Sequence, residues 1–372
     1  MLRIGITGQT GFIGSHLYNT IGLTPERFER VDFDRNCFED PNSLDSFVSS
    51  CEVIVHLAAM NRHEDPSVIY HTNLKLVLKL VESLKRVNSK AHVLFSSSTQ
   101  EERSNPYGNS KFEGRALLSA WANETNNCFT GLIIPNVFGP FGQPFYNSVV
   151  ATFCHQVSRQ ITPKIDVDGE LNLIYVGDLV EKIIESINQK INEHTILVAQ
   201  NVTVKVSAIL NLLTQFENDY QQKGIIPCIQ NRFEHQLFNT YRCYMDIKHH
   251  FPVKFILNTD QRGDFVEVIR LNMGGQVSFS TTLPGITRGN HFHTRKIERF
   301  AVIKGKALIQ LRKIGTNEVL DFYLSGEEPA YVDMPIWYIH NIKNIGEEDV
   351  YTIFWINEFY NNNDPDTYFV KI

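Results

Sequence analysis

A chain of 372 residues with 42% hydrophobic content is long enough to fill two cores, and its formal charge of −6, without any block of like charges, excludes an electrostatic footprint for nucleic acid or an anionic membrane. No stretch approaches the roughly 20 apolar residues that a membrane span needs, and Leu2 to Thr7 is a strand-length run that breaks at Gly8 rather than a secretory signal. The six cysteines form no Cys-x-x-Cys pair, which points to reduced thiols in a cytoplasmic protein. From Leu2 to about Tyr220, short apolar or β-branched runs (Leu2 to Thr7, Phe28 to Phe33, Glu52 to Ala58, His92 to Ser97, Phe129 to Ile134) alternate with helical patterns. That alternation predicts right-handed βαβ units around a parallel sheet. After about His249 the pattern becomes short strands between turn residues: Phe265 to Arg270, Gln276 to Thr282, Phe300 to Ile303, Ala307 to Arg312 and Val350 to Ile356. These predict an antiparallel barrel or jelly roll. The aperiodic stretch Asn239 to Pro252 places the junction, giving domains at 1–246 and 247–372.

The opening Gly5-Ile6-Thr7-Gly8-Gln9-Thr10-Gly11-Phe12-Ile13-Gly14 sets glycines three apart between a strand and a helix. Glycine lets the backbone turn and approach a pyrophosphate, whose charge the helix N-terminus favours, so Gly8, Gly11, Phe12, Ile13 and Gly14 are candidate cofactor contacts in a Rossmann-like, doubly wound sheet. At the second strand's end stand Asp34, suited to the ribose diol of NAD, and Arg35, suited to the 2′-phosphate of NADP, which leaves the choice between them open. Further on, Ser96-Ser97-Ser98 precedes Asn105-Pro106-Tyr107-Gly108-Asn109-Ser110-Lys111. Pro106 suits a first helical turn, which places Tyr107 and Lys111 on one face. A cationic Lys111 lowers the phenol's pKa so that Tyr107 can move the hydroxyl proton during hydride transfer, while Ser98, or Ser97 if the strand register shifts by one, steadies the carbonyl.

These residues resemble the extended short-chain dehydrogenase/reductase family of nucleotide-sugar enzymes over about residues 1 to 240. The resemblance implies Ser98, Tyr107 and Lys111 as the catalytic set, Ala58 and Ala59 beside the cofactor with Asn73 nearby, and Asn136 in Pro135-Asn136-Val137-Phe138-Gly139-Pro140 as a substrate contact. Tyr175-Val176-Gly177-Asp178 resembles a later element of the same family, although Asp178 is equally suited to a helix N-cap.

Gly285, His291, His293, Glu298 and Gly305 match the cupin pattern Gly-x5-His-x-His-x4-Glu-x6-Gly, and His340 supplies a fourth ligand. His291 and His293 alternate along one strand and so point the same way, with Glu298 across the turn. Three imidazoles and a carboxylate suit Zn, Fe, Ni or Mn; chemistry that needs no redox step favours Zn. Arg288-Gly289-Asn290-His291 also resembles the strand of deoxysugar epimerases in which the histidine is a metal-free base. The family has glycine where Trp337 stands.

A ketone at sugar C4 acidifies the C3 hydrogen, so the barrel could invert C3 and the first domain then reduce C4. This module order resembles the bifunctional capsular polysaccharide enzymes in which a reductase domain precedes a zinc cupin. The resemblance implies a UDP-linked 4-keto-6-deoxy amino sugar as substrate, a UDP-2-acetamido-2,6-dideoxy-L-talose as product on the UDP-N-acetyl-L-fucosamine route, NADPH as reductant and a homodimer. The rival readings are a nucleotide-sugar 4-epimerase or 4,6-dehydratase whose cupin only binds sugar or stabilises a dimer.

Overall fold

The computed structural model describes all 372 residues, which divide into two compact units: 1–152 with 167–206, and 153–166 with 207–372. In the first unit β1 (Leu2–Thr7), α1 (Phe12–Ile21), β2 (Phe28–Val31), α2 (Pro41–Ser50), β3 (Val53–His56), α3 (Pro66–Arg86), β4 (His92–Ser98), α4 (Pro106–Thr125) and β5 (Phe129–Ile134) follow one another. They continue into β6 (Asn136–Phe138), α5 (Val149–Ser158, which crosses into the second unit after Thr152), β7 (Glu170–Tyr175), α6 (Val176–Asn188), β8 (Ile196–Leu197) and β9 (Val202–Lys205). Six of these strands form a wholly parallel sheet in the order β2-β1-β3-β4-β5-β8. The order reverses at β1/β3, which is where open α/β sheets bind ligands at their carboxyl ends. Two apolar cores cover the two faces: Phe47, Leu80, Phe95 and Trp121 on one, and Ile6, Leu17, Leu179 and Ile183 on the other. The starts of α2, α3 and α4 are written in the sequence as Asp40, Asp65 and Asn105, each accepting a first-turn amide and each followed by proline. Asp178 lies inside the first turn of α6, whose N-cap is Tyr175, so the N-cap reading of Asp178 does not hold.

The second unit contains α7 (Val206–Phe216, which starts at the division), α8 (Arg232–Arg242), β10 (Val253–Lys254), the hairpin β11 (Asn258–Asp260) and β12 (Gly263–Phe265), and β13 (Gln276–Thr282). Then come β14 (Thr287–Phe292), β15 (Glu298–Lys304), β16 (Lys306–Lys313), β17 (Val319–Ser325), β18 (Ala330–Met334), β19 (Tyr338–Asn344), β20 (Val350–Ile356) and β21 (Tyr368–Phe369). Two antiparallel five-stranded sheets, β10-β18-β15-β20-β13 and β17-β16-β19-β14-β21, enclose a core of Ile309, Leu311, Val332 and Val302. Residues 207–246 therefore pack with the strands that follow them, and the junction expected at 246/247 marks a change of secondary structure rather than of packing. Segment 266–270 adds no barrel strand; Arg270 O accepts from Ile226 N and Ile226 O from Asn272 N, an isolated bridge to the preceding segment.

Trp337 adopts φ 63, the left-handed conformation that glycine prefers, while its ring is 7% exposed and stacks on Phe292 at 5.6 Å. The left-handed backbone costs about 1–2 kcal/mol, whereas deleting a buried aromatic side chain costs about 3–5 kcal/mol. Trp337→Gly is therefore expected to lower barrel stability by roughly 2–3 kcal/mol despite matching the family pattern, read as a lower denaturant midpoint.

His56 is enclosed at the end of β3, its Nδ1 2.7 Å from Thr7 Oγ1 and its ring stacked on Phe95. Burial, reinforced by the Lys111 charge, holds its imidazole down to about 3 against 6.5 for the free group. The unfolded chain takes up a proton below pH 6.5 that the native one refuses. Its contribution is thus complete above that pH and is lost as pH falls towards 3, at up to ~1.4 kcal/mol per pH unit. Urea midpoints of His56→Gln are expected to depend less on pH between 6.5 and 4 than those of the parent chain; equal slopes would contradict this.

Candidate functional sites

β1 ends at Thr7, and Gly8 turns the chain with φ 79. A Cβ on Gly8 would lie 2.9 Å from Ala58 N, and one on Gly14 would lie 2.1 Å from Gly8 O, so both positions need glycine to keep the loop against the end of β3. Gly11 is the N-cap of α1 and no side chain covers that end, which leaves the first-turn amides of Phe12 and Ile13 open to phosphate oxygens. Beyond β2, Asp32 accepts the Tyr18 hydroxyl at 2.8 Å, while the exposed Asp34 takes Asn36 N at 2.7 Å and Arg35 stands exposed beside it. Ala58 donates its amide to Thr7 Oγ1 at 3.4 Å, and Ala59 follows, half-buried. Asn73 pins this segment: its side chain accepts from Met60 N at 2.6 Å and donates to Met60 O and to Ser110 Oγ on α4.

Tyr107 and Lys111 lie one turn apart on α4, with Lys111 Nζ 5.8 Å from the Tyr107 ring centroid. Lys111 is buried and donates to Ser96 O at 2.8 Å, and burial lowers its ammonium to about 8. The Tyr107 phenol is raised to about 12, first by burial and then by the neighbouring Tyr146, which reverses the expected direction. The reason is that Lys111 turns its charge on the Ser96 carbonyl while the enclosed phenol loses water. Ser98 Oγ accepts from Gln100 N at 3.2 Å, capping a single 3-10 turn, and Ser97 Oγ, on the opposite face of β4, donates to Glu101. Asn136 is exposed at the start of β6. Tyr146, whose hydroxyl accepts from Asn61 N at 3.3 Å, joins this cluster although no motif in the sequence links it to Tyr107.

In the barrel, a register shift between Gly289 and His291, with Asn290 at φ 60, sets His291 directly opposite His340 of β19. His293 follows one residue beyond the end of β14, and Glu298 opens β15. His340 Nε2 is 3.1 Å from His291 Nε2 and 3.3 Å from Glu298 Oε2, and His293 Nε2 is 3.0 Å from Glu298 Oε2. All four ligand atoms lie within 4.8 Å of one another. Each ring is backed by a carbonyl: Gly289 behind His291, Asp366 behind His293, and Tyr338 behind His340 Nδ1 at 3.2 Å. A carbonyl accepts only, so each far nitrogen is the proton-bearing one and Nε2 turns a lone pair inward.

His293 Nε2 and Glu298 Oε2 are buried without a hydrogen-bond partner; their 3.0 Å approach is that of an ion pair but lacks hydrogen-bond geometry. Burial, then His340 and His293, pushes His291 down to about 4 and so keeps it neutral. Burial opposes the charge on Glu298, yet the two adjacent imidazoles outweigh it and hold the carboxyl well below its usual range. Together His291, His293, Glu298 and His340 could hold a divalent cation. Ligand distances of about 2.0–2.2 Å for zinc would fit these spacings. Phe300 lies 6.3 Å from His340 and stacks on Phe354 at 5.3 Å.

The model of the NAD dependent epimerase/dehydratase family matches residues 4–199, and that of the polysaccharide biosynthesis C-terminal domain matches 258–368. A UDP-2-acetamido-2,6-beta-L-arabino-hexul-4-ose reductase from Pseudomonas aeruginosa is 31% identical, with 99% of this chain and 98% of that one aligned. The crystal structure of the capsular polysaccharide assembling protein CapF from Staphylococcus aureus is 34% identical over the whole of both chains, with a TM-score of 0.64. A UDP-glucose 4-epimerase from Thermotoga maritima, 22% identical over 65% of this chain and 98% of its own with a TM-score of 0.55, shares the fold. No helix is long and apolar enough to cross a membrane. With the glycine turn, the Tyr107–Lys111 helix and both matched regions in place, the chain is an enzyme of the NAD dependent epimerase/dehydratase family, which works with a nicotinamide cofactor.

Proposed function

We propose that this chain epimerises C3 of a UDP-2-acetamido-2,6-dideoxy-4-hexulose in its barrel and reduces the C4 ketone in its first unit, giving the L-talose sugar nucleotide for capsular or other surface polysaccharide. The observation that carries the reading is the end-to-end similarity to a hexul-4-ose reductase, in a chain whose barrel also gathers His291, His293, Glu298 and His340 into one cluster. When bound, the nicotinamide supplies hydride to C4 and the divalent metal polarises the ketone oxygen.

The protein's own residues do the rest. Gly8, Gly11, Phe12, Ile13 and Gly14 hold the pyrophosphate; Asp34 and Arg35 meet the adenosine ribose of NAD or NADP; Ala58 and Ala59 flank the cofactor. Tyr107 hands its phenolic proton to the C4 oxygen as hydride arrives, Ser98 donates to that oxygen, and Asn136 contacts the sugar nucleotide. Lys111, lowered by burial, favours the ionised phenol as the proton leaves it. His291, His293, Glu298 and His340 would hold the divalent metal in the barrel. We place the reaction in the cytoplasm, where the six free cysteines stay reduced, and assign the active form as a homodimer.

Incubation with a UDP-4-keto-6-deoxy-HexNAc in deuterated water tests both halves. Tyr107→Phe is expected to slow NAD(P)H oxidation by about 10²–10⁴-fold while deuterium still enters C3. Glu298→Ala with His340→Ala is expected to abolish C3 exchange and leave cofactor binding intact. NAD(P)H consumption without any C3 exchange in the parent chain would reduce the enzyme to a reductase alone; interconversion of the C4 epimers of a UDP-hexose without net NAD(P)H use would favour a 4-epimerase.

A further inference from the structure

We propose that Asp366 is a positioning residue for the metal cluster, acting through His293, an inference that rests on the metal reading of the barrel. His293 differs from the other two histidines in lying past the end of its strand, where regular pairing supplies no carbonyl to orient its ring. The carbonyl comes instead from Asp366, 73 positions along the chain, which accepts from His293 Nδ1.

Asp366 is held for this task by its own side chain, which is 3% exposed. Its Oδ1 accepts from Thr294 N at 3.0 Å and from Thr294 Oγ1 at 2.6 Å, and its Oδ2 accepts from Arg295 N and Lys296 N, both at 3.0 Å. Four donors from the turn between His293 and Glu298 thus saturate one carboxylate. The same carboxylate organises the loop that sets the spacing of two ligands and locks the backbone whose carbonyl fixes the tautomer of one. Neighbouring contacts hold the strap in place. Lys296 Nζ donates to Pro365 O at 2.6 Å, Tyr368 stacks on Phe292 at 5.3 Å, and β21 pairs with β14 at His291↔Phe369 and Phe292↔Tyr368. A turn that needed only a cap would be satisfied by the carboxylate bonds; the His293 contact ties that cap to the direction of a ligand's lone pair.

The test compares the parent chain with Asp366→Ala and Asp366→Asn, measuring zinc affinity by chelator competition and the visible spectrum of the cobalt(II)-loaded protein. Loss of a group that orients a ligand weakens metal binding by about 10–100-fold, and this is the change expected for Asp366→Ala, with altered cobalt bands. Asp366→Asn keeps one acceptor oxygen and should fall between the two. Should Asp366→Ala not fold, Thr294→Val decides, since it removes only the 2.6 Å hydroxyl bond: a loss of about threefold or more supports the strap, and any smaller change overturns it. A parent chain that binds neither ion overturns the metal reading and the strap with it. Normal binding and an unchanged spectrum in Asp366→Ala overturn the strap alone.

Discussion

Three imidazole nitrogens and one carboxylate oxygen turned inward on a single point form the constraint around which the second unit is arranged. His340 Nε2 lies 3.1 Å from His291 Nε2, and each ring's other nitrogen faces a carbonyl. The shift at Gly289, the left-handed Asn290 and the left-handed Trp337 each serve it. The first brings His291 opposite His340, and the last lets Trp337 N donate to His293 O at 2.8 Å while its ring covers Phe292. Backbone strain collects here because the geometry of the ligands is fixed more tightly than a strand's regular repeat allows.

The two halves of the proposed reaction are joined by the ketone. A carbonyl at C4 is what makes the C3 hydrogen removable, and it is also what hydride attacks. Epimerisation alone is reversible and ends at a mixture; reduction removes the acidifying group and freezes whichever C3 configuration it captures. A single chain carrying both activities thus draws an unfavourable isomer forward without holding it at high concentration.

Much of this is legible in the sequence. The strands at 2–7, 92–98 and 129–134 coincide with apolar runs because parallel strands buried on both faces have no polar alternation to obscure them. His291, His293 and Glu298 are legible because they are close in sequence and rare in type, whereas His340 joins them from a later strand. Asp366 was not, since its role comes through its backbone carbonyl and a carboxylate contacting amides, neither of which leaves a compositional trace. Tyr146 reaches the neighbourhood of Tyr107 through loop folding alone. The direction of the Tyr107 shift was misread because spacing along a helix shows that Lys111 is near but not that Ser96 O has claimed it. Residues 207–246 look like a continuation of the first unit because helical periodicity identifies a helix, not the surface it packs on.

What those residues pack on explains why they belong to the barrel. Strand alternation sends Glu298 inward and Arg299 outward, and Arg299 is 1% exposed, paired with Asp333 of β18 at 2.8 and 2.9 Å. Tyr220 donates to the same carboxylate at 2.7 Å, Gly224 O accepts from Arg299 at 2.7 Å, and Arg242 of α8 donates to Met334 O at 2.7 Å. A buried ion pair of this kind contributes little net stability once desolvation is counted, but it is costly to break and therefore selects one arrangement. Sliding β15 by a single residue would take the carboxylate away from the imidazoles and turn Glu298 out against Asp333, placing like charge against like on the outer face. The outer network thereby fixes the register on which the inner ligands depend, a task that apolar side chains of similar volume, indifferent to which neighbour they meet, would leave undone.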